Sequence, residues 1–286
     1  MSQNTLRLLM PQWQGGNNPP YGFGARLLRW LAPEADGMPE IEVPVEPFDG
    51  TELPLEDGVR GRTVLMRQLR CCTNIIQEYQ PDRIILFGGD CLVSQAPFAY
   101  LNEKYSGELG VLWIDAHPDI STPAMHKHVH AMVLGNLLGE GDPGFAAQVK
   151  RHVHPENVMY AGLQQLSTAE EAVVNRLDLR RAGPRDVAEN SSPVLRFLEE
   201  RGIRHLAIHL DLDVLDPQLF RSQLFNNPND PTPINSFSGK MSFPLVTRLI
   251  NDVERETRVV GMSYAEHMPW DDINLKNMMQ QFGFMK

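Results

Sequence analysis

Short, nearly continuous apolar runs recur along the chain, separated by stretches in which apolar residues repeat at helical spacing. Such runs are typical of strands buried on both faces, as in a parallel sheet. They predict strands within residues 5–13, 83–90, 109–117, 157–163, 205–215 and 257–267. Most of these runs end in polar or charged residues, which a buried strand by itself does not require.

Two of the intervening stretches have a clear helical pattern. Within residues 60–80 the apolar side chains fall on one helix face, and Pro81 ends the pattern. Within residues 242–256 they do so again, and Ser242 is the predicted N-cap because its hydroxyl can accept a hydrogen bond from a free amide of the first turn. This alternation of strands and helices predicts a doubly wound α/β sheet.

The chain contains no internal repeat and no Gly/Ser-rich linker. We therefore expect a single domain over residues 1–286. The segment 225–240 is rich in Pro and Asn, and it predicts a long surface loop within that domain.

Composition narrows the classes of function. The 286 residues are 42% hydrophobic and 22% charged, an ordinary balance for a globular protein. The 36 acidic and 26 basic side chains give a net charge of −10, which argues against nucleic acid or an anionic membrane as partner. The three cysteines, Cys71, Cys72 and Cys91, do not form a disulfide framework, and no signal peptide or membrane span is apparent. We expect a cytoplasmic protein.

Two acidic clusters follow apolar runs. In open α/β sheets ligands bind beyond the carboxyl ends of the strands, so these positions matter most. Asp115, His117 and Asp119 occupy alternate positions, which in a strand would place them on one face. Asp211 and Asp213 alternate in the same way. Four carboxylates that converge without cations would repel one another, since buried charges must be paired or bind a metal.

No cluster of Lys or Arg accompanies either acidic run, so divalent ions are the simplest partners. Oxygen-rich ligation with an imidazole suits Mn²⁺, with Zn²⁺ or Fe²⁺ as alternatives. Four carboxylates are enough to bridge two ions at about 3.5–4 Å, a spacing that activates a water molecule between them.

Three segments, in this order, resemble the signatures of the arginase/agmatinase (ureohydrolase) family. They are GGDC at 88–91, DAHPD at 115–119 and HLDLDVLDP at 209–217. The resemblance covers the chain from Ile84 to Pro269. It implies an arginase-like three-layer α/β/α fold with a mostly parallel sheet, a binuclear manganese centre, and hydrolysis of a guanidino or amidino C–N bond.

The resemblance also implies a role for each ligand. Asp115 and Asp211 match the carboxylates that bridge the two ions. Asp119 would complete the shell of one ion, and His117 with Asp213 that of the other. The attacking group would be a hydroxide that bridges the two metals.

Two further residues match catalytic positions of the family. His130 matches a histidine that shuttles a proton, and Glu266 matches a glutamate that holds the guanidinium group. With Asp119 they are the expected catalytic residues. His126 and His128 stand nearby, and either is an alternative for the role of His130.

Cys91 stands where the family usually has a histidine ligand. A thiolate is softer than imidazole and suits Zn²⁺ better than Mn²⁺. Cys91 either binds metal and changes the metal preference, or leaves its ion weakly held, or is an inert buried thiol. We favour a weakened or altered first metal site. His209 stands where the family often has a small serine, and we expect it, like Asp90, to support ligands rather than to bind metal.

The residues expected at the far end of the substrate also differ from the family. The run GLQQLS at 162–167 replaces a charged stretch that reads the α-amino group in arginases. Ser121 replaces an asparagine that reads the carboxylate, whereas Glu170 keeps the position of a second amino-binding carboxylate. Ordinary arginine is therefore a doubtful substrate, and agmatine, hydroxyarginine, guanidino acids and formiminoglutamate are alternatives.

Two other functions compete with this interpretation. A zinc deacetylase-like amide hydrolase would use a related fold with one zinc ion and a nearby tyrosine. A non-catalytic, regulatory relative would keep the fold alone. The retention of Glu266 and of every expected ligand except the one at position 91 favours an enzyme. The resemblance further suggests a homo-oligomer, a trimer or hexamer, to which the tail 268–286 would contribute. The Gly-rich segment 15–24 lacks the phosphate-loop pattern, and we expect it to form a lip over the site.

Overall fold

A parallel sheet of eight strands forms the centre of the computed structural model, which describes residues 4–229 and 234–281. Over these ranges the strands are β1 (Thr5–Met10), β2 (Glu40–Glu42), β3 (Leu55–Glu56), β4 (Val59–Arg60), β5 (Arg83–Gly88), β6 (Leu109–Ile114), β7 (Val158–Ala161), β8 (Arg180–Ala182), β9 (His205–Asp211) and β10 (Arg258–Ala265). The strands β3 and β4 form a separate hairpin. The sheet order is β2-β1-β5-β10-β9-β6-β7-β8, so the chain crosses over repeatedly, as in a doubly wound fold.

Helices cover both faces of this sheet. They are α1 (Pro20–Leu31), α2 (Arg62–Tyr79), α3 (Gln95–Lys104), α4 (Val133–Leu138), α5 (Pro143–Ala146), α6 (Thr168–Arg176), α7 (Ser192–Arg201), α8 (Phe243–Glu256) and α9 (Trp270–Met279). Helices α2, α3 and α4 pack into one core, and α7 and α8 pack into another. Within β6, Val111 and Trp113 belong to the first core, and Leu112 and Ile114 to the second. Successive side chains of a strand point to opposite faces, so the two cores lie on opposite faces of the sheet. The predicted three-layer α/β/α fold is therefore confirmed.

The local predictions agree closely with these elements. The helical pattern at 60–80 corresponds to α2, and the pattern at 242–256 corresponds to α8. Ser242 caps α8 as expected, with its side chain accepting a hydrogen bond from the amide of Leu245. Each predicted strand is present. The short edge strands β2 and β8 were missed, because their partly exposed sequences, EIE and RRA, contain no apolar run.

The prediction that strand alternation aligns the acidic side chains is wrong. Strand β6 ends at Ile114 and β9 at Asp211, so the polar residues that follow lie in turns. Asp115 Oδ1 accepts the amide N–H of His117 at 2.7 Å, and Asp211 Oδ1 accepts that of Asp213 at 2.8 Å. The same aspartate turn thus ends both strands, and it rather than the pleat directs these side chains.

The loop at 225–240 lies partly outside the described residues, which omit 230–233. Its described part begins in the 3₁₀ turn Leu224–Asn226 and carries no strand or longer helix. Across the described ranges, no helix combines the length and apolar character required to cross a membrane.

Gly89 lets the segments that follow β1 and β5 approach each other where the site begins. A Cβ atom at this position would lie 1.8 Å from the carbonyl oxygen of Gln12. We therefore expect Gly89→Ala to lower the free energy of unfolding by about 1–3 kcal/mol, measured by chemical denaturation. Gly183→Ala is the matched control, since its nearest neighbour would be Asp186 Oδ2 at an ordinary 3.4 Å. Equal stability of the two variants would contradict the expected clash.

Candidate metal centre

A cavity of about 300 Å³ opens beyond the carboxyl ends of the central strands. Seven of the residues predicted for the site line it: Cys91, His117, Asp119, His130, Asp211, Asp213 and Glu266. The eighth, Asp115, is fully buried and lies within ligand distance of His117 and Asp213. The structure therefore brings all eight predicted residues together.

Asp115, His117 and Asp213 form one tight group, in which one donor atom of each lies within 4.8 Å of the others. His117 Nδ1 is 3.0 Å from Asp213 Oδ2 and 3.6 Å from Asp115 Oδ1. This grouping is compatible with the expectation that His117 and Asp213 share one ion and that Asp115 bridges to the other.

Cys91 belongs to a second group, which also contains Asp115, His209 and Asp211. Its thiol donates a hydrogen bond to Asp211 Oδ2 at 2.8 Å and lies 3.3 Å from Glu266 Oε1. Asp115 is a member of both groups, which is the position a bridging carboxylate requires. The inert-thiol interpretation of Cys91 is disfavoured, because the thiol contacts the carboxylates directly.

Asp119 reaches the same cavity by a different route. Its backbone has a φ of +47°, in the left-handed region that an aspartate rarely adopts. Its side chain is buried, and Oδ2 has no hydrogen-bond partner in the part of the chain that the structure describes. Asp119 stands apart from the tight groups, so its predicted ligand role rests on its position in the cavity and on this free oxygen.

Glu266 is buried in the site and connects three chain segments there. It follows β10 with a φ of +63°, another strained backbone position. Its Oε2 accepts a hydrogen bond from the Tyr21 hydroxyl at 2.6 Å, and its Oε1 lies 2.6 Å from His130 Nδ1. Tyr21 was not predicted, although its segment, 15–24, was expected to form a lip. Nothing in the sequence links two residues so far apart.

The structure distinguishes among the three neighbouring histidines. The rings of His126, His128 and His130 lie within 6.3 Å of one another, but His130 is the one in contact with Glu266. His126 Nδ1 instead accepts the amide N–H of His128 at 3.1 Å. This contact favours His130 over the two alternatives.

Burial of many acids in one place displaces their pKa values. Burial, helped by the nearby Asp213, raises the pKa of Asp115 to about 6 and that of Asp211 well above its ordinary value. Burial also raises the pKa of the Cys91 thiol, with Asp211 adding to the effect. Burial alone would raise the pKa of Asp213 as well, but the neighbouring His117 lowers it. When these groups ionise, the site therefore carries more negative charge than the nearby positive groups of the protein neutralise.

Several buried oxygen and nitrogen atoms that could bind a metal ion also lack hydrogen-bond partners. Asp119 Oδ2, Asp213 Oδ1 and His209 Nε2 are inaccessible and make no hydrogen bond within the described ranges. An unpaired buried polar group costs about 1–3 kcal/mol, so such groups are normally satisfied. Lone pairs of carboxylate, imidazole and thiolate are what a divalent transition ion requires. The residues present thus fit a two-metal centre.

The far end of the cavity is formed by residues after β6 and in α6. Ser121 donates a hydrogen bond to Glu170 Oε1 at 3.1 Å, and both residues line the cavity. Glu170 also accepts from Ser167 in the capping box of α6, which fixes its orientation. Leu224 and Phe237 supply apolar wall that sequence reasoning missed, because only the fold brings their loop to the site.

Asp90 supports the site from behind, as predicted. Its carboxylate accepts hydrogen bonds from the Gln12 side chain and from the amides of Gly15 and Leu92. Burial raises its pKa to about 6, while Gln12 partly opposes the shift. Asp90, which directly precedes Cys91, thus connects the site to Gln12 and to the 15–24 segment.

The pKa displacements predict how metal-free protein responds to pH. An acid with a raised pKa stabilises the fold fully below its unfolded-state pKa, and this contribution is lost as the pH rises through the folded-state value. For Asp115 that window runs from 3.8 to about 6. We expect the Tm of chelator-treated protein to fall across this window by about 3 °C or more, since each pKa unit is worth about 1.4 kcal/mol. Divalent ions should reverse the loss at neutral pH.

Asp211→Asn tests whether the buried carboxylates cause this loss. At neutral pH the variant should raise the Tm of the metal-free protein and reduce the gain on adding Mn²⁺, because one buried charge and one ligand are removed. Asp49→Asn, at an exposed carboxylate, is the control. A metal-free Tm that does not change with pH, together with no response to divalent ions, would exclude a metal centre here.

Comparison with known proteins places this geometry in a family. The model of the Arginase family matches residues 40–222, well over half of the chain. The arginase of Staphylococcus aureus (strain COL) is 27% identical over 143 residues, which cover 46% of this chain and 46% of that protein. The aligned part thus spans about half the length of such curated relatives.

Solved structures extend the similarity of fold over the whole chain. An Entamoeba histolytica arginase in complex with L-ornithine has a TM-score of 0.79 at 18% identity and covers 99% of each chain. A formimidoylglutamase of Bacillus subtilis has a TM-score of 0.69 at 13% identity, covering 94% of this chain and 80% of that one. From the match to the family model and the shared fold, we conclude that the chain belongs to the arginase family.

Proposed function

We propose that this protein is a metal-dependent hydrolase that cleaves a C–N bond of a guanidino or amidino compound. Membership of the arginase family supports the class of reaction. The observation that carries the proposal is the cavity in which two groups of potential metal ligands and the Glu266–His130 pair face one another. A protein that kept only the fold would not need so many uncompensated buried acids.

The two groups of donor atoms, together with the position of Asp119 in the cavity and its free oxygen, support an assignment of the ligands. We propose that the two ions would be held by His117 and Asp213 on one side, by Cys91 and Asp119 on the other, and by Asp115 and Asp211 between them. The full set is that of the sequence prediction, with Mn²⁺ as the expected metal and Zn²⁺ or Fe²⁺ as alternatives. When bound, a pair of divalent ions lowers the pKa of water enough to supply hydroxide at neutral pH, which a resonance-stabilised guanidinium needs for attack.

Glu266 is placed to bind and orient the substrate. A carboxylate pairs with a guanidinium through charge-assisted hydrogen bonds that fix the plane of the group. Tyr21 and His130 hold the two carboxylate oxygens, so Glu266 keeps one orientation as the substrate enters. The strained backbone of Glu266 is consistent with a functional constraint at this position.

His130 is placed to move a proton. Burial lowers its pKa, but the neighbouring Glu266 and Asp90 more than offset this, so that the pKa is raised. The raised pKa favours the imidazolium form, which can donate a proton to the departing amine.

The far end of the cavity favours a substrate with an amino group. Glu170 is the acidic side chain there, and its partner Ser121 is uncharged. A positively charged group would meet a carboxylate, whereas a substrate carboxylate would meet no Lys or Arg side chain among the lining residues. We propose an amino-bearing, agmatine-like chain ahead of an arginine-like chain or a guanidino acid, because both of these carry a carboxylate.

The deacetylase-like alternative is less well supported. It would require one zinc ion and a tyrosine directed at the substrate. Tyr21 is near the site, but its hydroxyl is bonded to Glu266. The two groups of ligands also exceed what a single ion requires.

The trimer or hexamer and the cytoplasmic location stay predictions. Exposed Trp30 and Leu31 on α1 offer apolar surface for self-association.

A panel of guanidino and amidino compounds tests the proposal directly. Protein loaded with Mn²⁺ should release urea, hydroxyurea or ammonia from at least one compound. Glu266→Gln should reduce kcat/KM strongly, because the guanidinium loses its charged partner. Glu78→Gln, on the exposed face of α2, is the control for loss of a carboxylate. No turnover of any compound, despite bound metal, would refute the proposed activity.

The same assay separates the histidines. His130→Asn should lower kcat by about 10²–10⁴-fold with a smaller effect on KM, as expected for loss of a proton donor. His128→Asn should leave kcat close to that of the parent protein. The opposite result would move the proton transfer to His128.

Glu170→Gln tests the far end of the cavity. Glutamine keeps the capping-box hydrogen bonds of α6 and removes only the charge. We expect KM for an amino-bearing substrate to rise about tenfold with little change in kcat, since a charged hydrogen bond is worth about 1.5–3 kcal/mol and this one is partly exposed. A guanidino acid without an amino group serves as the control substrate. An equal change for both substrates would show that Glu170 does not read the amino group.

A further inference from the structure

His209 lies inside the metal centre with an unused nitrogen. It is on β9, two residues before Asp211, and its exposed fraction is 0%. Its Nδ1 is 2.9 Å from Ser94 Oγ and 3.2 Å from Ser263 Oγ, so two hydroxyl groups fix the ring. Its Nε2 makes no hydrogen bond to any described residue. A histidine anchored through one nitrogen with the other left free is the usual arrangement of a metal ligand.

The free nitrogen lies within the group of potential ligands that contains Cys91. One donor atom each from Cys91, Asp115, His209 and Asp211 lie within 4.8 Å of one another. The distance from His209 Nε2 to Asp115 Oδ2 is 4.0 Å, too long for a hydrogen bond. Two ligands of one ion, each bound at about 2.0–2.3 Å, are at most about 4.6 Å apart. The four donors thus stand almost as they would around a single ion.

A purely structural role accounts for less of this arrangement. The imidazole ring stacks on Trp113 with a centroid distance of 3.8 Å, which explains why a flat side chain fits here. Stacking does not explain why the far nitrogen is buried without a partner, at a cost of about 1–3 kcal/mol. An ion shared with Cys91 and the two aspartates would satisfy it.

We propose that His209 is a metal ligand, and that it supplies the imidazole which the family pattern would place at position 91. Cys91, Asp115, His209 and Asp211 then form a thiolate–imidazole–dicarboxylate site suited to Zn²⁺. This replaces the expectation that His209 only supports other ligands. The inference deepens the proposed function and rests on its assignment of a metal centre.

Placing the imidazole at position 209 instead of position 91 also makes the two positions depend on each other. An imidazole introduced at position 91 would compete with that of His209 for the same ion, because both positions face the same carboxylates. Positions 91 and 209 are therefore coupled, and a change at one should be tolerated best when the other changes too. Coupling of this kind is measured by a double-mutant cycle.

Titration of metal-free protein with Co²⁺ tests the proposed ligand set without substrate. The parent protein should show a thiolate-to-cobalt charge-transfer band that Cys91→Ser abolishes. His209→Gln should weaken Co²⁺ and Zn²⁺ binding at this site about 10–100-fold while a charge-transfer band remains at saturation. His205→Gln, four residues earlier on β9, is the matched control and should bind as the parent does. Unchanged affinity in His209→Gln would overturn the proposal.

The coupling is tested with Mn²⁺. Cys91→His alone should bind Mn²⁺ poorly, whereas Cys91→His/His209→Ser should bind it at least tenfold more tightly than either single variant. Strictly additive effects of the two substitutions would contradict a shared ion.

X-ray absorption spectroscopy of the unmutated protein loaded with Zn²⁺ tests the ligand assignment without relying on variants, which can fail to fold. Because His117 adds an imidazole to the other ion, a sulfur-containing shell that averages about one imidazole per zinc ion in protein loaded with two ions supports the proposal. An average of about half an imidazole per ion overturns it. The proposed function has a separate outcome. A sulfur- and imidazole-bound metal in a protein that hydrolyses no guanidino compound would refute the activity and leave the ligand assignment standing.

Discussion

The structure depends on a concentration of buried carboxylates that the protein itself does not neutralise. Asp115, Asp119, Asp211 and Asp213 lie behind one cavity, each at most 5% exposed, and His117 is the main cationic partner beside them. Mutual repulsion and burial raise the pKa of most of these acids. Such an arrangement is costly in the absence of cations and favourable in their presence, so the binding of a cation at this place would be coupled to folding.

The parallel sheet makes this concentration possible. All of its strands end at one edge, and two neighbouring strands, β6 and β9, end in the same aspartate turn. Around that edge the backbone is strained at Asp119 and Glu266, both in the left-handed region. Beside these two residues, the backbone at Gly89, after β5, packs closely against Gln12, after β1. A rigid, doubly covered sheet supports such local strain, because its two cores hold the strand ends in place.

Two networks adapt this common edge to a particular chemistry. Glu266 joins Tyr21 and His130, and thereby links the buried N-terminal segment to a group that can carry a proton. Cys91 and His209 lie within one ligand group, where a thiol and an imidazole stand in positions that the family pattern fills differently. The serines that anchor the His209 ring show how packing behind a site selects which atom faces it.

The sequence alone determined the alternation of strands and helices along the chain and indicated the candidate metal-ligating residues, because apolar periodicity and clustered acids are local signals. It did not determine how those acids meet: alternation along a strand was the wrong reason, and turns at Asp115 and Asp211 were the right one. Tyr21 and the free nitrogen of His209 became visible only in the tertiary structure. Their roles arise from contacts between distant segments, and a hydrogen bond left unmade inside a core leaves no trace in a linear pattern.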